Sequence, residues 1–359
     1  MAAFDEAGPA LSGVIADVAP DLLIYDVLLP WAQPVARSHG VPAVVFLTVS
    51  MAAASLCVHL AKRRGEAHPY GTSYVPGLRS AAEQNARVQP QGKPSGASSV
   101  GRCMQSIEGS SDIVLLKSIK ELEGKHMEYM ESLTGKKVVL VGMPVRDDLD
   151  PQQDAKELMD WLDMKERSST VFISFGSECF LNEEEREEMA YSLELSEVNF
   201  IWVIRFPEGE EIKLEDALPG GFLERVGNRG VVVEKWAPQA RILAHSSIGG
   251  FLSHCGWGSL TEGMRFGVPI IAMPMQNDQP LNAAVVKESG VGVEVGGIDV
   301  GRMDRNEIAK AVRHVLVDQN GERVRKKARE MGEIIRNRGD AEIDELVVEL
   351  NKICWSLKH

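Results

Sequence analysis

Cysteine is scarce in this sequence, and the few cysteines are scattered. They form no CxxC motif and are odd in number: Cys57, Cys103, Cys179, Cys255 and Cys354. This pattern excludes a disulfide framework and gives no indication of a zinc site. The opening segment carries Asp5, Glu6 and Pro9 where a secretory signal has an apolar run. We therefore expect a protein of the reducing cytoplasm.

Positive charge is also short, because 52 acidic residues face 39 lysines and arginines and leave a formal net charge of −13. Such an excess repels polyanions, which argues against nucleic acid and anionic membrane surfaces as partners. Long hydrophobic runs are missing as well. One largely apolar stretch, residues 43–60, is interrupted by polar side chains, whereas a bilayer crossing needs about 20 predominantly apolar residues. We expect a buried strand followed by a core helix there, with no membrane insertion.

What the sequence does have is an alternation of short β-branched runs with helical patterns. The runs of a first unit are Asp21–Asp26, Ala43–Leu47, Ile113–Leu116 and Lys137–Val141. Those of a second unit are Thr170–Phe175, Asn199–Arg205, Gly230–Lys235, Gly250–His254 and Val268–Pro274. Because the runs are continuously apolar, they are typical of parallel strands covered on both faces. Their alternation with helices predicts βαβ units and a doubly wound α/β fold.

These two units define the predicted domains. The first domain covers residues 1–142, a linker rich in Pro and Asp covers 143–154, and the second domain covers 155–337. A C-terminal helix over 338–359 is expected to pack back on the first domain. Residues 70–102 carry many Gly, Ser, Pro and Gln and little periodicity, which predicts a long loop of the lid or disordered kind.

Several helices can be placed from their end signals and periodicity. Asn182 followed by Glu185 predicts a capping box at the start of a helix over Asn182–Leu195. The tail of the chain shows amphipathic periodicity, which predicts three helices. They are Asp304–Val317, Gly321–Asn337 and Ala341–Trp355.

One segment combines the features of an anion site. Gly249–His254 has the pattern of a strand, Cys255–Gly258 that of a tight turn and Ser259–Phe266 that of a helix. A helix N-terminus presents unpaired N–H groups and partial positive charge. With His254 and Ser259 as further donors, this arrangement is suited to a diphosphate.

The same segment lacks the composition of a metal site. The chain's only Asp-x-Asp pair, Asp148 and Asp150, lies in the predicted linker, where a solvated turn is the expected role. We therefore expect that protein groups alone meet the charge of the diphosphate, with no metal and no cofactor.

Each residue of this segment also has a purely structural interpretation. Ser259 and Glu262 form an S-x-x-E pattern, which is typical of a helix capping box. His254 taken alone fits a hydrogen-bonded core histidine. Trp236 and Trp257 taken alone fit core aromatic residues.

A different function is open as a minor alternative. Gly256 and Gly258 partly match the dinucleotide-binding fingerprint, and Asp278 follows at a suitable distance. Thr261 stands where that fingerprint has its third glycine. An NAD-dependent oxidoreductase is therefore the alternative enzyme class.

The joint pattern is more specific than any single residue. Its parts occur in one order: WAPQ at 236–239, HSSIGGF at 245–251, HCGWGS at 254–259, Glu262, GVP at 267–269 and Asp278-Gln279. This order resembles the plant secondary-product glycosyltransferase box, the signature of plant UDP-dependent glycosyltransferases (family 1, GT-B fold). SFGS at 174–177 and GGFLER at 220–225 extend the resemblance. It implies two Rossmann-like, doubly wound parallel-sheet domains, of which the N-terminal one is incomplete.

The resemblance implies roles at the nucleoside end of a UDP-sugar. Trp236 would stack on uracil, and the Ala237 backbone would read the edge of the base. Gln239 and Glu262 would hold the ribose hydroxyls. These residue types fit the chemistry, because a flat ring suits a base and a carboxylate suits a diol.

At the other end of the UDP-sugar, the resemblance assigns the diphosphate to three side chains: His254, Ser259 and Ser177. The sugar is assigned to Trp257, Asp278 and Gln279. Gln279 favours UDP-glucose over UDP-galactose. Thr48, just past a strand of the first unit, is a further candidate for a sugar contact.

Two departures from the family pattern bear on activity. The family has Asn where this chain has Gly258, so one side-chain donor near the phosphates is lost and weaker donor binding is expected. Asp26 matches the family aspartate that orients a general-base histidine and raises its basicity. The Gly-His turn that supplies this histidine has no counterpart here, so we expect an N-terminally truncated chain without its catalytic base.

The resemblance implies an inverting glycosyltransferase that moves glucose from UDP-glucose, or a related UDP-sugar, to a hydroxyl of a small plant metabolite. The sequence is most similar to the branch-forming subgroup, which adds a sugar to a sugar of a terpenoid or flavonoid glycoside. A truncated, non-catalytic UDP-sugar-binding or partner module is the alternative.

Overall fold

The structure is a computed structural model that describes residues 6–63, 65–70, 99–144, 153–207, 209–210, 212–234, 236–296 and 303–356. The chain divides into two compact units. The first consists of Met1–Pro144 together with Asn337–His359, and the second of Val145–Arg336.

Helices and strands alternate along the first unit. They are α1 (Gly8–Val18), β1 (Leu23–Asp26), α2 (Ala32–Ser38), β2 (Ala43–Leu47), α3 (Met51–Lys62), α4 (Ser99–Gly109), β3 (Ile113–Leu116), α5 (Lys120–Thr134) and β4 (Lys137–Leu140). The strands pair in the order β1-β2-β3-β4, and every pair is parallel. Their side chains are mostly Val, Ile and Leu and most are fully buried, which explains why the runs lack an inside–outside alternation.

The second unit repeats this alternation with more elements, and the last helix of the chain begins in this unit and belongs to the first unit from Asn337 onward. They are α6 (Gln153–Asp163), β5 (Thr170–Ser174), α7 (Glu183–Ser196), β6 (Asn199–Ile204), α8 (Leu214–Ala217), α9 (Phe222–Val226), β7 (Gly230–Glu234), α10 (Gln239–Ala244), β8 (Ile248–Ser253), α11 (Trp257–Arg265), β9 (Ile270–Ala272), α12 (Gln279–Ser289), β10 (Gly292–Glu294), α13 (Arg305–Leu316) and α14 (Glu322–Ser356). Short 3-10 turns cover Gly227–Arg229 and Gln319–Gly321.

The second sheet is also wholly parallel, in the order β10-β9-β8-β5-β6-β7. Strand order reverses between β5 and β8, because the chain runs outward from β5 to β7 and then returns to β8 on the other side. In open α/β sheets, ligands bind beyond the carboxyl ends of the strands at such a reversal. The sheet order therefore points to the residues that follow β5 and β8.

Two parallel sheets with helical connections confirm the α/β fold predicted from the apolar runs. The capping box is also confirmed, because Asn182 Oδ1 accepts from Glu185 N at 2.9 Å and Glu185 Oε2 accepts from Asn182 N at 2.8 Å. Each predicted strand is present, with ends that differ by up to two residues. Strand β10 was not predicted, since Gly292–Glu294 is only 3 residues long.

Two helix predictions were wrong. The predicted turn over Cys255–Gly258 ends earlier, because α11 already begins at Trp257 and places Gly258 in its first turn. The last two of the three predicted tail helices, Gly321–Asn337 and Ala341–Trp355, are one helix, α14, which continues through Gly339. A single helical glycine costs only about 1 kcal/mol relative to Ala, which packing elsewhere along a long helix can offset.

Some predictions concern residues that lie outside the part of the chain that the structure describes. Residues 145–152 of the predicted linker, including Asp148 and Asp150, are among them, as are residues 71–98 of the predicted loop. The loop prediction was wrong at its end, because α4 begins at Ser99. In the first unit, Ile353 of α14 packs with Val44 and Val139 of the sheet. Among the described helices, none has the length and hydrophobicity that a membrane crossing requires.

Candidate functional site

A cavity of about 290 Å³ opens in the second unit, beyond the carboxyl ends of β5, β6 and β7. It therefore lies on the side of the sheet that the strand reversal indicates. Six of the residues predicted to bind a donor line it: Ser177, Trp236, Ala237, Gln239, Ser259 and Glu262. The structure thus brings together residues that are up to 85 positions apart in the sequence, from 177 to 262.

Trp236 supplies a flat, accessible surface in this cavity. Its side chain lies just beyond β7 and is 53% exposed, which is unusual for a tryptophan and contradicts the core-aromatic interpretation. The next residue, Ala237, is buried, and its carbonyl accepts from Gln239 N at 2.8 Å. An exposed indole on a fixed backbone is suited to stacking against a planar base.

Gln239 and Glu262 form a polar pair in the lining of the same cavity. Gln239 opens α10, and its amide Nε2 donates to Glu262 Oε2 at 2.8 Å and to Ser259 Oγ at 3.4 Å. Ser259 and Glu262 are three residues apart on α11 and therefore share one face of the helix. The pair presents an ionisable oxygen and an amide to the cavity, the groups that a diol can hydrogen-bond.

This pairing corrects the capping-box interpretation. The N-cap of α11 is Gly256, not Ser259, and it provides no side-chain hydrogen bond. The first main-chain N–H to bond within the helix is that of Leu260, which donates to Gly256 O at 3.0 Å. The N–H groups of Gly258 and Ser259 precede it in the first helical turn, which is the place where a helix N-terminus binds an anion.

His254 lies between two glycines at the strand reversal. It follows β8, is only 9% exposed, and its Nδ1 makes no regular hydrogen bond within the described chain. A Cβ added at Gly176 would lie 2.7 Å from the imidazole, and one added at Gly256 would lie 2.5 Å from Nε2. Only glycine therefore leaves room for the ring, and Gly176 also has a φ of +75°. The burial of the ring and its hydrogen bond with the Ser174 main chain agree with a core histidine, but Nδ1 has no regular partner among the described residues.

Burial lowers the pKa of His254, while the Ser174 main chain and the charge of Glu178 raise it. The imidazole is therefore neutral near pH 7, with one ring N–H to donate. An anionic ligand placed beside it would favour the protonated form and reverse this shift.

A buried turn joins His254 to α11. Cys255 has a φ of 69°, so the tightest point of the turn is a left-handed residue other than glycine. Its N–H donates to Ser253 Oγ at 3.2 Å, and its carbonyl accepts from Asn282 Nδ2 at 2.9 Å. Sequence reasoning missed Asn282, which fixes α12 against the turn.

Asp278 and Gln279 stand at the start of α12. Gln279 is 6% exposed, and its Oε1 accepts from Met275 N at 2.9 Å and Gln276 N at 2.8 Å. Its carbonyl oxygen is therefore committed to the backbone, which leaves the amide NH₂ as the group to offer a ligand. Burial raises the pKa of Asp278, whose Oδ2 accepts from Asn282 at 3.1 Å.

Trp257 and Gly258 occupy the first turn of α11 and differ in exposure. Trp257 is buried and Gly258 is exposed, with open space where a Cβ would be. Neither Trp257, Asp278 nor Gln279 lines the cavity beside Trp236. Their assignment to the sugar is therefore still a prediction.

Asp26 and Thr48 belong to the first unit and not to the cavity. Asp26 ends β1 and pairs in register with Phe46 of β2, and Thr48 follows just beyond that strand. The two residues thus share one edge of the first sheet. Asp26 Oδ1 accepts from Leu28 N at 2.8 Å, and within the described ranges no histidine hydrogen-bonds to it. The catalytic role of Asp26 stays a prediction.

Sequence reasoning also missed two cations. Arg205 follows β6 and Arg241 lies on α10, and both line the cavity with Trp236. Across the described part of the chain, neither forms an ion pair or a side-chain hydrogen bond. The position of Arg205 at the end of a predicted strand could have indicated a residue near a ligand site. No spacing rule, however, connects an arginine at that position with a particular ligand.

Comparison with known proteins assigns the family. The profile described as "UDP-glucoronosyl and UDP-glucosyl transferase" matches residues 143–338. UDP-glucosyltransferase 29 of Panax ginseng is 45% identical over 361 residues, covering 99% of this chain and 78% of the relative. Beta-D-glucosyl crocetin beta-1,6-glucosyltransferase of Gardenia jasminoides is 42% identical, covering 98% of this chain and 79% of the relative.

Solved structures agree with the sequence relatives. A crystal structure of a glycosyltransferase (UGT) from Siraitia grosvenorii in complex with UDP superposes with a TM-score of 0.80 at 27% identity. The superposition covers 97% of this chain and 87% of the chain in that crystal structure. The chain belongs to the UDP-glucoronosyl and UDP-glucosyl transferase family, as one of its plant members with the GT-B fold.

Proposed function

We propose that this protein transfers glucose from UDP-glucose to a sugar hydroxyl of a small terpenoid or flavonoid glycoside. The observation that carries the proposal is the cavity in which Trp236, Gln239 and Glu262 meet, beside the His254 turn and the N-terminus of α11. This set offers one group for each part of a nucleoside diphosphate. Family membership supports the transferase over an NAD-dependent oxidoreductase.

The donor is bound in three parts. Uracil stacks on Trp236 and the Ala237 backbone reads its edge. The ribose hydroxyls hydrogen-bond to the side chains of Gln239 and Glu262, either in place of the bond between these two residues or in addition to it. For the diphosphate, the donors are the imidazole of His254, the hydroxyls of Ser259 and Ser177 and the N–H groups of Gly258 and Ser259 in the first turn of α11.

The glucosyl group is proposed to lie towards Trp257, Asp278 and Gln279, with Thr48 as a further contact. Because the Gln279 carbonyl oxygen is held by two backbone N–H groups, its NH₂ is the group that meets a sugar hydroxyl. Because this NH₂ group lies at a fixed position, it can donate only to a sugar hydroxyl of the matching orientation. We propose that this contact favours glucose over its epimers.

Transfer is proposed to invert the anomeric carbon by direct displacement. The acceptor oxygen attacks, the bond to the diphosphate oxygen breaks, and UDP leaves with the bonding electron pair. Groups around His254 stabilise the charge that develops on the leaving phosphate. Asp26 is proposed as a positioning residue for the base that takes the acceptor proton.

No metal is proposed to take part, because His254, Ser259 and the α11 N-terminus supply the diphosphate with donors and positive potential. Calorimetric titration with UDP before and after EDTA treatment tests this point. We expect the same affinity in both. Loss of binding with EDTA and its return with Mg²⁺ would show that the diphosphate needs a metal here.

The acceptor class is supported by the names of relatives. One is a Beta-D-glucosyl crocetin beta-1,6-glucosyltransferase. Another, 41% identical over 356 residues, is a cyanidin-3-O-glucoside 2-O-glucuronosyltransferase of Bellis perennis. Both names describe transfer to an acceptor that already carries a sugar. We propose the same kind of acceptor here.

The reaction is tested by incubating the full chain with UDP-glucose and matched pairs of glycosides and their aglycones. We expect a mass gain of one hexose on the glycosides, with the aglycones unchanged. Glucosylation of the aglycones alone would overturn the acceptor class. UDP binding without turnover of any acceptor would support the alternative of a non-catalytic UDP-sugar-binding module.

Asp26 has its own test in the same assay. No described histidine hydrogen-bonds to Asp26, so Asp26→Asn should change kcat of this chain little. UDP affinity is unchanged in that variant, because Asp26 does not line the donor cavity. A fall in kcat of about 10²–10⁴-fold would contradict this expectation and show that Asp26 orients a base that drives transfer.

We also propose a cytoplasmic location and no nucleic-acid partner. Support comes from the net charge of −13 and from the five cysteines, all of which are free thiols. Expression of the full-length source protein with a fluorescent tag tests the location. Signal confined to a secretory compartment would contradict it.

A further inference from the structure

One buried asparagine of the second unit contacts both the turn after β8 and the start of α12. Asn282 lies on α12, one helical turn after Asp278, and is fully buried. Its amide Nδ2 donates to the carbonyl oxygen of Cys255 at 2.9 Å and to Asp278 Oδ2 at 3.1 Å. The two hydrogens of one NH₂ group therefore hold a main-chain oxygen of the turn and a carboxylate at the start of the helix.

The chemistry of the two partners fixes the orientation of this amide. A main-chain carbonyl oxygen only accepts hydrogen bonds, so the NH₂ group of Asn282, and not its oxygen, has to face Cys255. The carboxylate of Asp278 is also an acceptor. A side chain of the same shape without an NH₂ group could make neither bond.

The bond to Cys255 acts on the diphosphate end of the site. Cys255 is fully buried and has a φ of 69°, a conformation that residues other than glycine rarely adopt. The bond from Asn282 stabilises this conformation. Because His254 directly precedes Cys255, the position of the imidazole depends on the turn that Asn282 holds.

The bond to Asp278 acts on the sugar end. Burial raises the pKa of Asp278, and the hydrogen bond from Asn282 opposes this shift. The amide thus favours the charged form of the carboxylate, which accepts hydrogen bonds from hydroxyl groups. It also holds one carboxylate oxygen in place, which limits the rotation of the Asp278 side chain.

We propose that Asn282 is a positioning residue that holds the Asp278 carboxylate at a fixed place relative to the His254 turn. It thereby sets how much more tightly the protein binds UDP-glucose than UDP. The inference rests on the proposed function, which assigns the diphosphate to His254 and the sugar to Asp278. Since Asn282 is fully buried, it acts through these two residues and does not touch the sugar itself.

Calorimetric titration of three ligands into Asn282→Leu tests the proposal. Leucine is close to asparagine in shape and donates no hydrogen bond. Uridine has neither a diphosphate nor a sugar beyond it, so both proteins should bind it equally, which also shows that the variant is folded. UDP should bind about 2- to 12-fold more weakly, the effect of one lost hydrogen bond. The ratio of UDP-glucose affinity to UDP affinity should fall by about a further 2- to 12-fold.

Asn199→Leu is the matched control. Asn199 is an asparagine of the same unit, at the start of β6, and its Nδ2 donates to Ser169 Oγ at 3.2 Å. It lies at the amino end of its strand, whereas the cavity lies beyond the carboxyl ends. The affinities for all three ligands should therefore match those of the unaltered chain.

A double variant separates a role through Asp278 from a general loosening of the site. Asp278→Ala removes the carboxylate, so it should lower the preference for UDP-glucose over UDP by itself. If Asn282 acts on the sugar through that carboxylate, adding Asn282→Leu should leave this preference unchanged. A further fall, by the factor that Asn282→Leu causes alone, would show that the two residues act independently and would overturn the proposal.

The unaltered protein offers a measurement that needs no variant to fold. Asn282 is the one buried asparagine among the residues that the structure describes, so its side-chain NH₂ should exchange most slowly in heavy water. In the magnetic resonance spectrum of protein with isotope-labelled asparagine, this signal should shift more with UDP-glucose than with UDP. Equal shifts with both ligands, or an unchanged affinity ratio in Asn282→Leu, overturn the inference alone. Failure of the unaltered chain to bind UDP would overturn the proposed function as well.

Discussion

The amide of Gln239 donates to the carboxylate of Glu262 across 2.8 Å, joining the first residue of α10 to the middle of α11. The two residues form a hydrogen-bonded pair. Its two side chains are already held at a fixed spacing, so a ribose diol can bind them without ordering two free rotamers. Preorganisation of this kind reduces the entropic cost of binding.

Glu262→Gln tests the pair. The change keeps the size of the side chain and removes its charge, and a hydrogen bond to a charged group contributes about 1.5–3 kcal/mol. We expect UDP affinity to fall by about 10- to 150-fold in calorimetry. A UDP analogue without ribose hydroxyls is the matched ligand, and it should bind both proteins equally. An equal loss for UDP and the analogue would place Glu262 away from the ribose.

The position of His254 predicts the effect of a single methyl group. Gly256→Ala would place its Cβ 2.5 Å from Nε2, so the ring has to move out of its position. We expect UDP affinity to fall at least about tenfold, because a donor to the diphosphate is displaced. Gly258→Ala is the matched control, since nothing lies within 4 Å of a Cβ there. Similar affinities of the two variants would show that His254 does not contact the ligand.

Gly258→Asn should strengthen donor binding. Gly258 lies in the first turn of α11 in helical conformation, is exposed and has space for a side chain. One added hydrogen bond contributes about 0.5–1.5 kcal/mol, so UDP should bind about 2- to 12-fold more tightly. Weaker binding by the Asn variant would show that an amide at this position does not reach the phosphates.

Acid should weaken the first unit through His68. Burial, with the charge of His59, lowers the pKa of His68 to about 4, whereas an unfolded histidine titrates near 6.5. The unfolded chain therefore takes up the proton first. The stability linked to His68 is complete above about pH 7 and is lost as the pH falls towards 4.

Urea unfolding at pH 7 and pH 5 measures this effect. Since the folded pKa of His68 is about 4 and the unfolded one is near 6.5, we expect a loss of about 1–2 kcal/mol from this residue between the two pH values. His68→Phe retains a ring beside Tyr70 and Tyr129 but cannot titrate. The variant should lose correspondingly less stability at pH 5. Equal losses in both proteins would assign the acid sensitivity to other groups.

Most of the fold could be predicted because its signals are local. Thr170–Ser174 and Ala43–Leu47 are continuous apolar runs, and Asn182 with Glu185 is a complete capping box. Helix ends without a capping side chain were placed wrongly. The start of α11 was missed because its N-cap is Gly256, and the sharp turn before it depends on the left-handed conformation of Cys255.

The candidate site was predicted less completely, because its contacts join distant parts of the chain. The resemblance to the plant glycosyltransferase box indicated Trp236 and His254, but it did not show that Trp236 is half-exposed or that His254 lies closely packed between two glycines. The capping-box interpretation of Ser259 was wrong, because the Ser259 hydroxyl accepts from the side chain of Gln239 on a different helix. No sequence rule predicts a contact between these two distant residues. Arg205 was missed for the same reason.

The most direct test of the donor site is calorimetric titration of UDP into the full chain and into Trp236→Ala. Stacking of a base on an aromatic ring contributes about 1–3 kcal/mol, so the variant should bind UDP about 5- to 150-fold more weakly. Trp236→Phe keeps a ring and should lose less. Equal UDP affinity in the full chain and in Trp236→Ala would contradict the account, because the half-exposed indole would then not be the platform for the base.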